Sequence, residues 1–450
     1  MGLVVSEGGP SAGGGAQRNR YVDLLRVCAI GVVVLGHWLL VDITYRAGHL
    51  SGRDALQYLG WARWLTLVMQ VMPVFFVVGG YANAVSWTAH RRRQGVWTDW
   101  VRGRMLRLLW PTTVYVVVGV LVLAVARVAG VESHDLDRGG WLVALQLWFL
   151  PVYLLLIALT PLMLAAHRRW GLAVPVVMAV VAAGVDAAVL GPRLPLIGFA
   201  NYLLVWGAMH QWGFAWQDGT LTRPRWRCGA LAVTGAVVLI AVLAWGLFPI
   251  DMIGTGARMG NTSPPSIALL AFAAVQTGLL LAAEPILARV FASPSRWRLV
   301  SRLNRTVMIV YLWHMVPVII VAVALYPTGV MPQPTIGSVA WMVTRMIWVA
   351  LLVLVLVPLT AVLMWAHRPL RLLPEGLGAA GWWSPILVLC GLAAMVPALA
   401  RLAISGFAPD GHLPGLVLVI YACGLLAAFC SGRPPSQDRS PATPPSRTAG

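Results

Sequence analysis

The first apolar segment of the chain carries two ionisable side chains, Arg26 and His37, eleven positions apart. In an α-helix this spacing is three turns plus about 20°, so both side chains project from one face, roughly 16 Å apart along the axis. An imidazole titrates near neutral pH and could take a proton from a hydroxyl as that hydroxyl attacks a thioester. An arginine within the membrane suits anion binding. Because such groups are unfavourable in a span unless paired or hydrated, the pair predicts a functional site.

A second group of candidate residues opens the third apolar segment. Arg104 and Arg107 are three positions apart and share one helix face, which suits a clamp on the phosphates of a nucleotide-bearing donor. Two interpretations in which these residues have only structural roles stay open. The arginines could be ordinary topology anchors, and Arg26 and His37 could be a snorkelling arginine and a packed core histidine.

Further polar residues lie within other apolar segments and are candidates for a substrate cavity. His314 follows Tyr311 in the ninth segment, where a core histidine is an equal alternative. Asp186 and Arg345 both lie toward outer ends and could pair across the bundle. Asn201 belongs to an unusually polar sixth segment, as expected of a helix that lines a cavity.

Composition defines the elements that must position these residues. The chain has 59% hydrophobic and 11% charged residues and a mean hydropathy of +0.79, whereas soluble domains carry about 25% charged residues. Many apolar runs reach the roughly 20 residues that cross a bilayer core. We predict an all-α, polytopic transmembrane bundle of about ten core spans plus two C-terminal spans. The predicted spans are 22–43, 65–87, 105–128, 141–165, 171–190, 195–213, 228–249, 266–290, 304–326, 336–365, 383–402 and 414–431.

The arginines predict the orientation of these spans. All 33 basic residues are arginine, which gives a net charge of +18, but they concentrate in alternate loops. With the N-terminus inside, the inner segments hold 23 arginines and the outer segments eight. This asymmetry is the positive-inside pattern and favours both termini in the cytoplasm. It explains the charge through topology and anionic lipids, and we expect no nucleic-acid partner.

Four regions follow along the chain. Residues 1–17 and 432–450 are rich in Gly, Ser or Pro and are expected to be disordered, and the first apolar segment is expected to be an uncleaved span. Between them lie a transmembrane core at 18–371 and additional spans at 372–431. The absence of lysine, with abundant Ala, Val, Leu and Gly, suggests a bacterial plasma membrane protein. The five cysteines are scattered without metal-ligand spacing, so no metal or permanently bound cofactor is expected.

Several motifs together resemble one known family. Tyr21-x-Asp-x-x-Arg26, followed by ten residues and His37, resembles the first-helix pattern of the acyltransferase 3 family of integral membrane acyltransferases. Other segments resemble further motifs of that family in the same order along residues 20–371. They are Pro73–Tyr81, the Arg104–Arg107 pair, Leu147–Leu150 and Tyr311–His314.

The resemblance implies acyl transfer from cytosolic acyl-CoA to a hydroxyl of a carbohydrate, envelope glycan or natural product. It implies that His37 is the catalytic histidine and that Arg26, Arg104 and Arg107 bind the donor. Two positions depart from the family pattern. Many members carry a glutamate where this chain has Tyr153, and Glu-x-Pro where it has His367-Arg-Pro369. If that glutamate assists catalysis, Asp186 or another group must replace it.

A transporter or flippase of lipids or glycans is the main alternative. In that hypothesis His37, Asp186 and Arg345 form a proton or substrate path. A relative that binds the donor without turning it over is a third hypothesis, which the absent glutamate keeps open. The sequence does not identify the acyl group, the acceptor, the side of the membrane on which it is acylated, or the oligomeric state.

Overall fold

The computed structural model describes residues 19–192, 194–254, 260–366 and 383–432. The predicted disordered arm, nearly all of the predicted tail and the segment around His367 lie outside these residues. In the described ranges the chain is helical except for one hairpin and the connecting loops. The helices are α1 Arg20–Leu40, α2 Thr66–Met69, α3 Met72–Arg92, α4 Trp97–Val128, α5 Ser133–Ala144, α6 Phe149–Trp170, α7 Ala173–Leu190, α8 Ala200–Gln217, α9 Trp226–Ala244, α10 Ile267–Val290, α11 Pro294–Asn304, α12 Val307–Trp313, α13 Val316–Leu325, α14 Val339–Ala366, α15 Ser384–Ser405 and α16 Gly415–Cys430.

The prediction of an all-α polytopic bundle is confirmed. Within the described ranges, nine helical stretches are long and apolar enough to cross a membrane, or ten if the bent pair α12 and α13 forms one span. Ten of the twelve predicted spans therefore meet these criteria when the bent pair is counted as one. The two segments that do not qualify still form helices where they were predicted: α8 includes the polar Asn201, and α16 has only 16 residues.

The first helix runs between the two ends of the bundle. Asn19 begins it by accepting a hydrogen bond from the Tyr21 backbone N–H at 2.9 Å, and Asp23 in the first turn favours the positive end of the helix dipole. The helix ends at Leu40, three residues before the predicted end of the span. We call the end that carries Arg104 and Arg107 the arginine end, and the opposite end of α1 the hairpin end.

A two-stranded antiparallel hairpin follows α1 directly and was not predicted. Strand β1, Val41–Arg46, pairs with β2, His49–Asp54. Ala47 and Gly48 between them both have positive φ, the conformation of a two-residue hairpin turn. The local signal was the alternation of apolar and polar side chains at Ile43, Thr44 and Tyr45, shortly before a glycine. It lay at the edge of an apolar run, and the predicted span extended to residue 43.

Glycines allow α3 and α8 to touch along their backbones. A Cβ atom at Gly80 would overlap the carbonyl of His210, and one at Gly213 would overlap the carbonyl of Val77. Pro73 lies in the first turn of α3, where its missing N–H is harmless. The close contact at Gly80 and Gly213 fixes α8 against the core.

The two C-terminal helices pack on α4 and α6 rather than standing apart. Phe407, in the loop after α15, is fully buried with its ring centre 5.9 Å from that of Tyr115 on α4. Tyr421 on α16 shares a 2.8 Å hydrogen bond with Thr113. These helices therefore belong to the same packed body as the predicted core.

Candidate active site

The second candidate histidine lies at a break in a span. The sequence predicted one continuous helix over 304–326, but α12 and α13 are bent by 43° relative to each other. Pro317 explains the break, because it has no N–H to donate to the carbonyl of Trp313 four residues earlier. His314 ends α12 at this point and is fully buried.

Side chains satisfy the backbone carbonyls near this break. His314 itself donates from Nδ1 to the Tyr311 carbonyl at 2.7 Å. The Gln146 side-chain amide donates to the Leu312 carbonyl at 2.8 Å, and the Trp38 indole donates to the His314 carbonyl at 2.7 Å. Irregular backbone at membrane depth is tolerated where protein groups satisfy it in this way. These hydrogen bonds hold the backbone at the break and fix the ring of His314 in one orientation.

The ring of His37 meets the ring of His314. Nδ1 of His37 lies 2.7 Å from Nε2 of His314, and the two ring planes differ by 20°. The ring centres are 5.0 Å apart, close to the sum of the nitrogen–nitrogen distance and the two ring radii. The rings thus meet edge to edge, with the shared proton near the line between the nitrogens, as a strong hydrogen bond requires.

The partners of the two rings determine where the protons lie when both are neutral. A carbonyl oxygen only accepts, so the proton of His314 is on Nδ1, facing Tyr311. Nε2 of His314 is then an acceptor, and Nδ1 of His37 must donate to it. This leaves a lone pair on Nε2 of His37, which has no hydrogen-bond partner among the described residues. His37 is half-buried while His314 is enclosed, so the free nitrogen belongs to the accessible ring.

A second layer of hydrogen bonds supports this pair. The Tyr311 hydroxyl donates to the Gln146 carbonyl at 2.6 Å, and the Gln146 side chain donates to the Tyr115 hydroxyl at 2.6 Å. Tyr115 in turn donates to the carbonyl of Val143 at 2.5 Å. Gln146 and Tyr115 were not among the predicted site residues. A lone glutamine inside the apolar run 141–165 was the available signal.

The arginines predicted to bind the donor come together at the arginine end. Arg104 interacts electrostatically with Arg26, Arg107 and the Tyr153 side chain. Its guanidinium donates to the Ala82 carbonyl at 3.1 Å and lies 5.6 Å from the centre of the Trp100 ring. Arg26 lies 3.8 Å from Asp23. One carboxylate beside three guanidinium groups leaves this cluster, which we call the arginine cluster, able to bind an anion.

A row of aromatic rings connects the arginine cluster with the histidine pair. The Tyr153 ring stacks on Phe149 with 5.0 Å between centres, and Phe149 lies 6.0 Å from Tyr311. Tyr311 is 6.3 Å from the ring of His314. Tyr153, at the position of the glutamate found in many members of the resembled family, is thus an aromatic wall residue in this chain.

Asp186 and Arg345 do not pair, so that expectation was wrong. Asp186 accepts from the Asn201 side-chain amide at 2.7 Å and from the backbone N–H of Ile267 at 2.6 Å. Ile267 is the first residue of α10, so Asp186 completes the start of that helix. Asn201 is fully buried on α8 and holds Asp186 in this position.

Arg345 instead belongs to a centre around Asp42 in the hairpin. Arg345 donates to the Asp42 carboxylate at 3.0 Å, Arg53 donates to its other oxygen at 2.7 Å, and the Trp341 indole donates at 2.9 Å. Arg345 also donates to the Val41 carbonyl at 2.7 Å. Asp42 was missed because the predicted span ended next to it, at residue 43.

The described residues offer two kinds of chemistry: a base with a free lone pair at His37, and cations in the arginine cluster. Among them, no group of three or more histidine, cysteine, aspartate or glutamate side chains is arranged to hold a metal ion. The groups suited to an anionic donor lie at the arginine end, and the base lies at the other end of the aromatic row.

Comparison with known proteins identifies the family of the chain. A family model described as an acyltransferase domain, that of the acyltransferase 3 family, matches residues 19–366. The match begins at the residue that caps α1 and ends with α14, so it contains both histidines and the arginine cluster. No curated protein and no solved structure matched the chain. The matched region is most of the chain, and the protein therefore belongs to the acyltransferase 3 family of integral membrane acyltransferases.

Proposed function

We propose that this membrane acyltransferase is an O-acyltransferase. It moves an acyl group from acyl-CoA to a hydroxyl of a carbohydrate, envelope glycan or natural product, and His37 is the general base. The observation that carries the proposal is the hydrogen-bond chain from the Tyr311 carbonyl through His314 to His37. It leaves one nitrogen on the half-buried ring of His37 without a hydrogen-bond partner among the described residues.

The reaction follows from that nitrogen. Nε2 of His37 takes the proton of the acceptor hydroxyl while the hydroxyl oxygen attacks the carbonyl carbon of the thioester. A carbon–oxygen bond forms, the carbon–sulfur bond breaks, and the CoA thiolate leaves. The proton on Nε2 then passes to the thiolate, so His37 returns to its neutral state. During the step, the hydrogen bond to Nε2 of His314 stabilises the imidazolium of His37 and holds the ring in one orientation.

The donor approaches from the arginine end. The phosphates of acyl-CoA bind at Arg26, Arg104 and Arg107, and the pantetheine chain follows the aromatic row toward His37. The ring contacts that support this path are those of Tyr153 with Phe149 and of Phe149 with Tyr311. The arginine distribution favours a cytoplasmic arginine end, with both termini inside and the protein in a bacterial plasma membrane.

The histidine pair also accounts for the departure at Tyr153. A general base needs a neighbour that fixes its ring and tautomer, a role that a carboxylate can fill. In this chain His314 is the neighbour of His37, and Asp186 is engaged in starting α10. Asp186, Arg345 and His37 lie in three separate hydrogen-bond networks, which argues against the transport path that would join them.

The proposal is tested with purified, full-length protein in lipid nanodiscs. Acyl-CoA donors of increasing chain length are supplied with and without glycan acceptors, and thiol release and product mass are measured. We expect His37→Ala to reduce turnover about 10²- to 10⁴-fold, the usual contribution of a general base.

The matched control is His412→Ala, which removes an exposed histidine in the loop before α16. It should keep full turnover. If His37→Ala inserts normally and turns over at the rate of the unaltered protein, His37 is not the base. If the unaltered protein binds acyl-CoA but transfers nothing to any acceptor or to water, the protein is a binding relative rather than an enzyme.

A further inference from the structure

Two adjoining cavities open at the arginine end of the bundle, outside the arginine cluster. The larger has a volume of about 620 Å³ and the smaller about 310 Å³. Asn19 and Glu284 line both of them, so they form one continuous cleft. Its walls are the start of α1, the ends of α8 and α10, and the loop that leads into α9. Sites for small molecules and cofactors have volumes of about 300–1,000 Å³.

The shared wall of the cleft combines an aromatic ring with polar groups. The Asn19 amide donates to the Tyr81 hydroxyl at 3.3 Å, and the Trp216 indole donates to Glu284 at 3.2 Å. Trp216 is buried behind Tyr81, with 4.6 Å between ring centres, while Tyr81 is half-buried and lines the cavity. An aromatic face beside amide and carboxylate groups suits a purine, which stacks on the ring and donates its amine to an acceptor.

Cations surround the same cleft. Arg223 and Arg225 line the larger cavity, and Arg20 lines the smaller one. Two carboxylates, Asp218 and Glu284, also face the cleft, which leaves the lining with a surplus of one positive charge. Asp218 is already engaged, because His167 lies 2.8 Å from one of its oxygens. The free cations therefore favour phosphate groups near the mouth.

The cleft lies next to the arginine cluster. Arg104 of that cluster donates to the carbonyl of Ala82, the neighbour of Tyr81. Asn19 caps α1, two turns before Arg26 on the same helix. A ligand in the cleft can thus extend past Arg26 and Arg104 toward the aromatic row.

We infer that this cleft binds the adenosine 3′-phosphate part of the acyl-CoA donor. The adenine stacks on Tyr81 and donates its amine to Glu284, and the 3′-phosphate faces Arg223 and Arg225. The inference rests on the proposed function, because it assigns a site to the nucleotide of the proposed donor. The proposed function assigns the donor phosphates to the arginine cluster, whereas this inference places the adenosine and its 3′-phosphate in the cleft beside that cluster.

The first test compares a complete donor with one that lacks the nucleotide. Arg223→Ala combined with Arg225→Ala should raise the Kd of CoA and the KM of acyl-CoA at least tenfold. The same variant should use acyl-pantetheine, which has no nucleotide, as well as the unaltered protein does. Both arginines are exposed, so the variant should fold normally. Arg168→Ala with Arg169→Ala is the matched control, since these exposed arginines at the same end line neither cavity.

A second test addresses the base. Adenosine 3′,5′-bisphosphate should compete with CoA better than ribose 3,5-bisphosphate does, and Glu284→Leu should weaken that competition because the adenine amine loses its acceptor. Unchanged CoA affinity in both Glu284→Leu and the Arg223 and Arg225 variant would overturn the inference. Equal competition by inorganic phosphate or by vesicles of anionic lipid would also overturn it, because the cleft would then recognise phosphate alone.

Binding and turnover separate the inference from the proposed function. If CoA binds in the cleft with the expected variant effects but no acyl group is transferred, the proposed reaction fails and the nucleotide site stands. If acyl transfer is normal and insensitive to the cleft variants, the reaction stands and the nucleotide site fails.

Discussion

Two polar centres, at His37 and at Asp42, lie five residues apart on the chain, and they differ in which polar atoms lack a hydrogen-bond partner. At Asp42, both carboxylate oxygens accept hydrogen bonds, and the donors are Arg345, Arg53 and Trp341. At His37, one ring nitrogen is bonded to His314 and the other has no partner among the described residues. Both centres join α1, or the hairpin after it, to a distant helix. Both also place polar groups inside a membrane protein, which costs free energy unless the groups are paired or hydrated.

The difference separates a structural centre from a reactive one. An ion pair in which both carboxylate oxygens already accept hydrogen bonds has no free base to offer a substrate and mainly fixes the position of the hairpin. A base must keep one lone pair available, and its neighbours must fix only the other nitrogen. Asp186 resembles Asp42 in this respect, since both of its oxygens accept hydrogen bonds from the protein. The reactive site at His37 therefore differs from Asp42 and Asp186 in having an acceptor atom without a hydrogen-bond partner, rather than in burial alone.

The largest expected effect is on stability, at the fully engaged centre. Asp42→Asn removes the charge that balances two guanidinium groups, and Arg345 is nearly fully buried. Breaking a buried pair from one side costs about 3–5 kcal/mol. We expect the free energy of unfolding, measured by denaturation in mild detergent, to fall by that amount.

Asp410→Asn is the control for this change. It removes an exposed carboxylate whose positive φ asparagine also tolerates, so its stability should be unaltered. The fraction of Asp42→Asn that remains folded should keep its turnover number. A loss of turnover per folded molecule, with little loss of stability, would mean that the Asp42 centre takes part in the chemistry.

The next effect is on turnover, at the reactive centre. His314→Ala removes the acceptor that orients His37, and misplacing a catalytic group by about 1 Å can reduce the rate about 10²-fold. We expect a 10- to 100-fold lower kcat with little change in the KM for acyl-CoA. The measurement is steady-state thiol release across a range of pH, where the variant should show an altered profile.

His314→Gln should restore part of the lost rate. The glutamine oxygen can occupy the position of Nε2 and accept the proton of His37 Nδ1, although it cannot itself be protonated near neutral pH. A purely structural role for His314 predicts that Ala and Gln variants change stability and leave the pH profile alone. That outcome would contradict the assignment of His314 as the positioning residue.

Local sequence patterns predicted the residues on single helices well. The spacing of Arg26 and His37, and of Arg104 and Arg107, depends only on helical periodicity, and both pairs lie on helices in the structure. The break at Pro317 was not predicted, although its signal was local, because a proline inside a span removes a backbone donor. What the sequence did not predict were partners on distant elements.

The missed features all depend on tertiary contacts. Gln146 is over 160 positions from Leu312, and Asp42 is over 300 from Arg345. No periodicity or local propensity reports such a contact, so Asp186 and Arg345 could be expected to pair only because both are charged. The hairpin was missed for a similar reason, since the hydrogen bonds that hold its Asp42 come from Arg345 on a distant helix and from Arg53 on the paired strand.

A smaller effect is expected in the layer behind the histidines. Gln146→Leu removes the donor to the Leu312 carbonyl and to the Tyr115 hydroxyl, which should lower the free energy of unfolding by about 1–2 kcal/mol. It should also lower kcat several-fold, because the break that holds His314 loosens. The matched control is Gln211→Leu, which removes one buried hydrogen bond to the Met163 carbonyl. Equal loss of kcat in both variants would show that Gln146 has no specific link to the site.

The smallest effect should come from Asp186, and it tests the comparison most directly. Asp186→Ala leaves the first N–H of α10 without its acceptor, and loss of a helix N-terminal acceptor costs about 1 kcal/mol. Ser266→Ala is the matched variant, because Ser266 caps the same helix through the N–H of Leu269. Both should lower the unfolding temperature to a similar extent and keep full acyl transfer. If Asp186→Ala instead abolished transfer while Ser266→Ala did not, a carboxylate whose two oxygens both accept hydrogen bonds would be part of the reaction. A lone pair without a hydrogen-bond partner would then no longer distinguish the reactive centre from the structural ones.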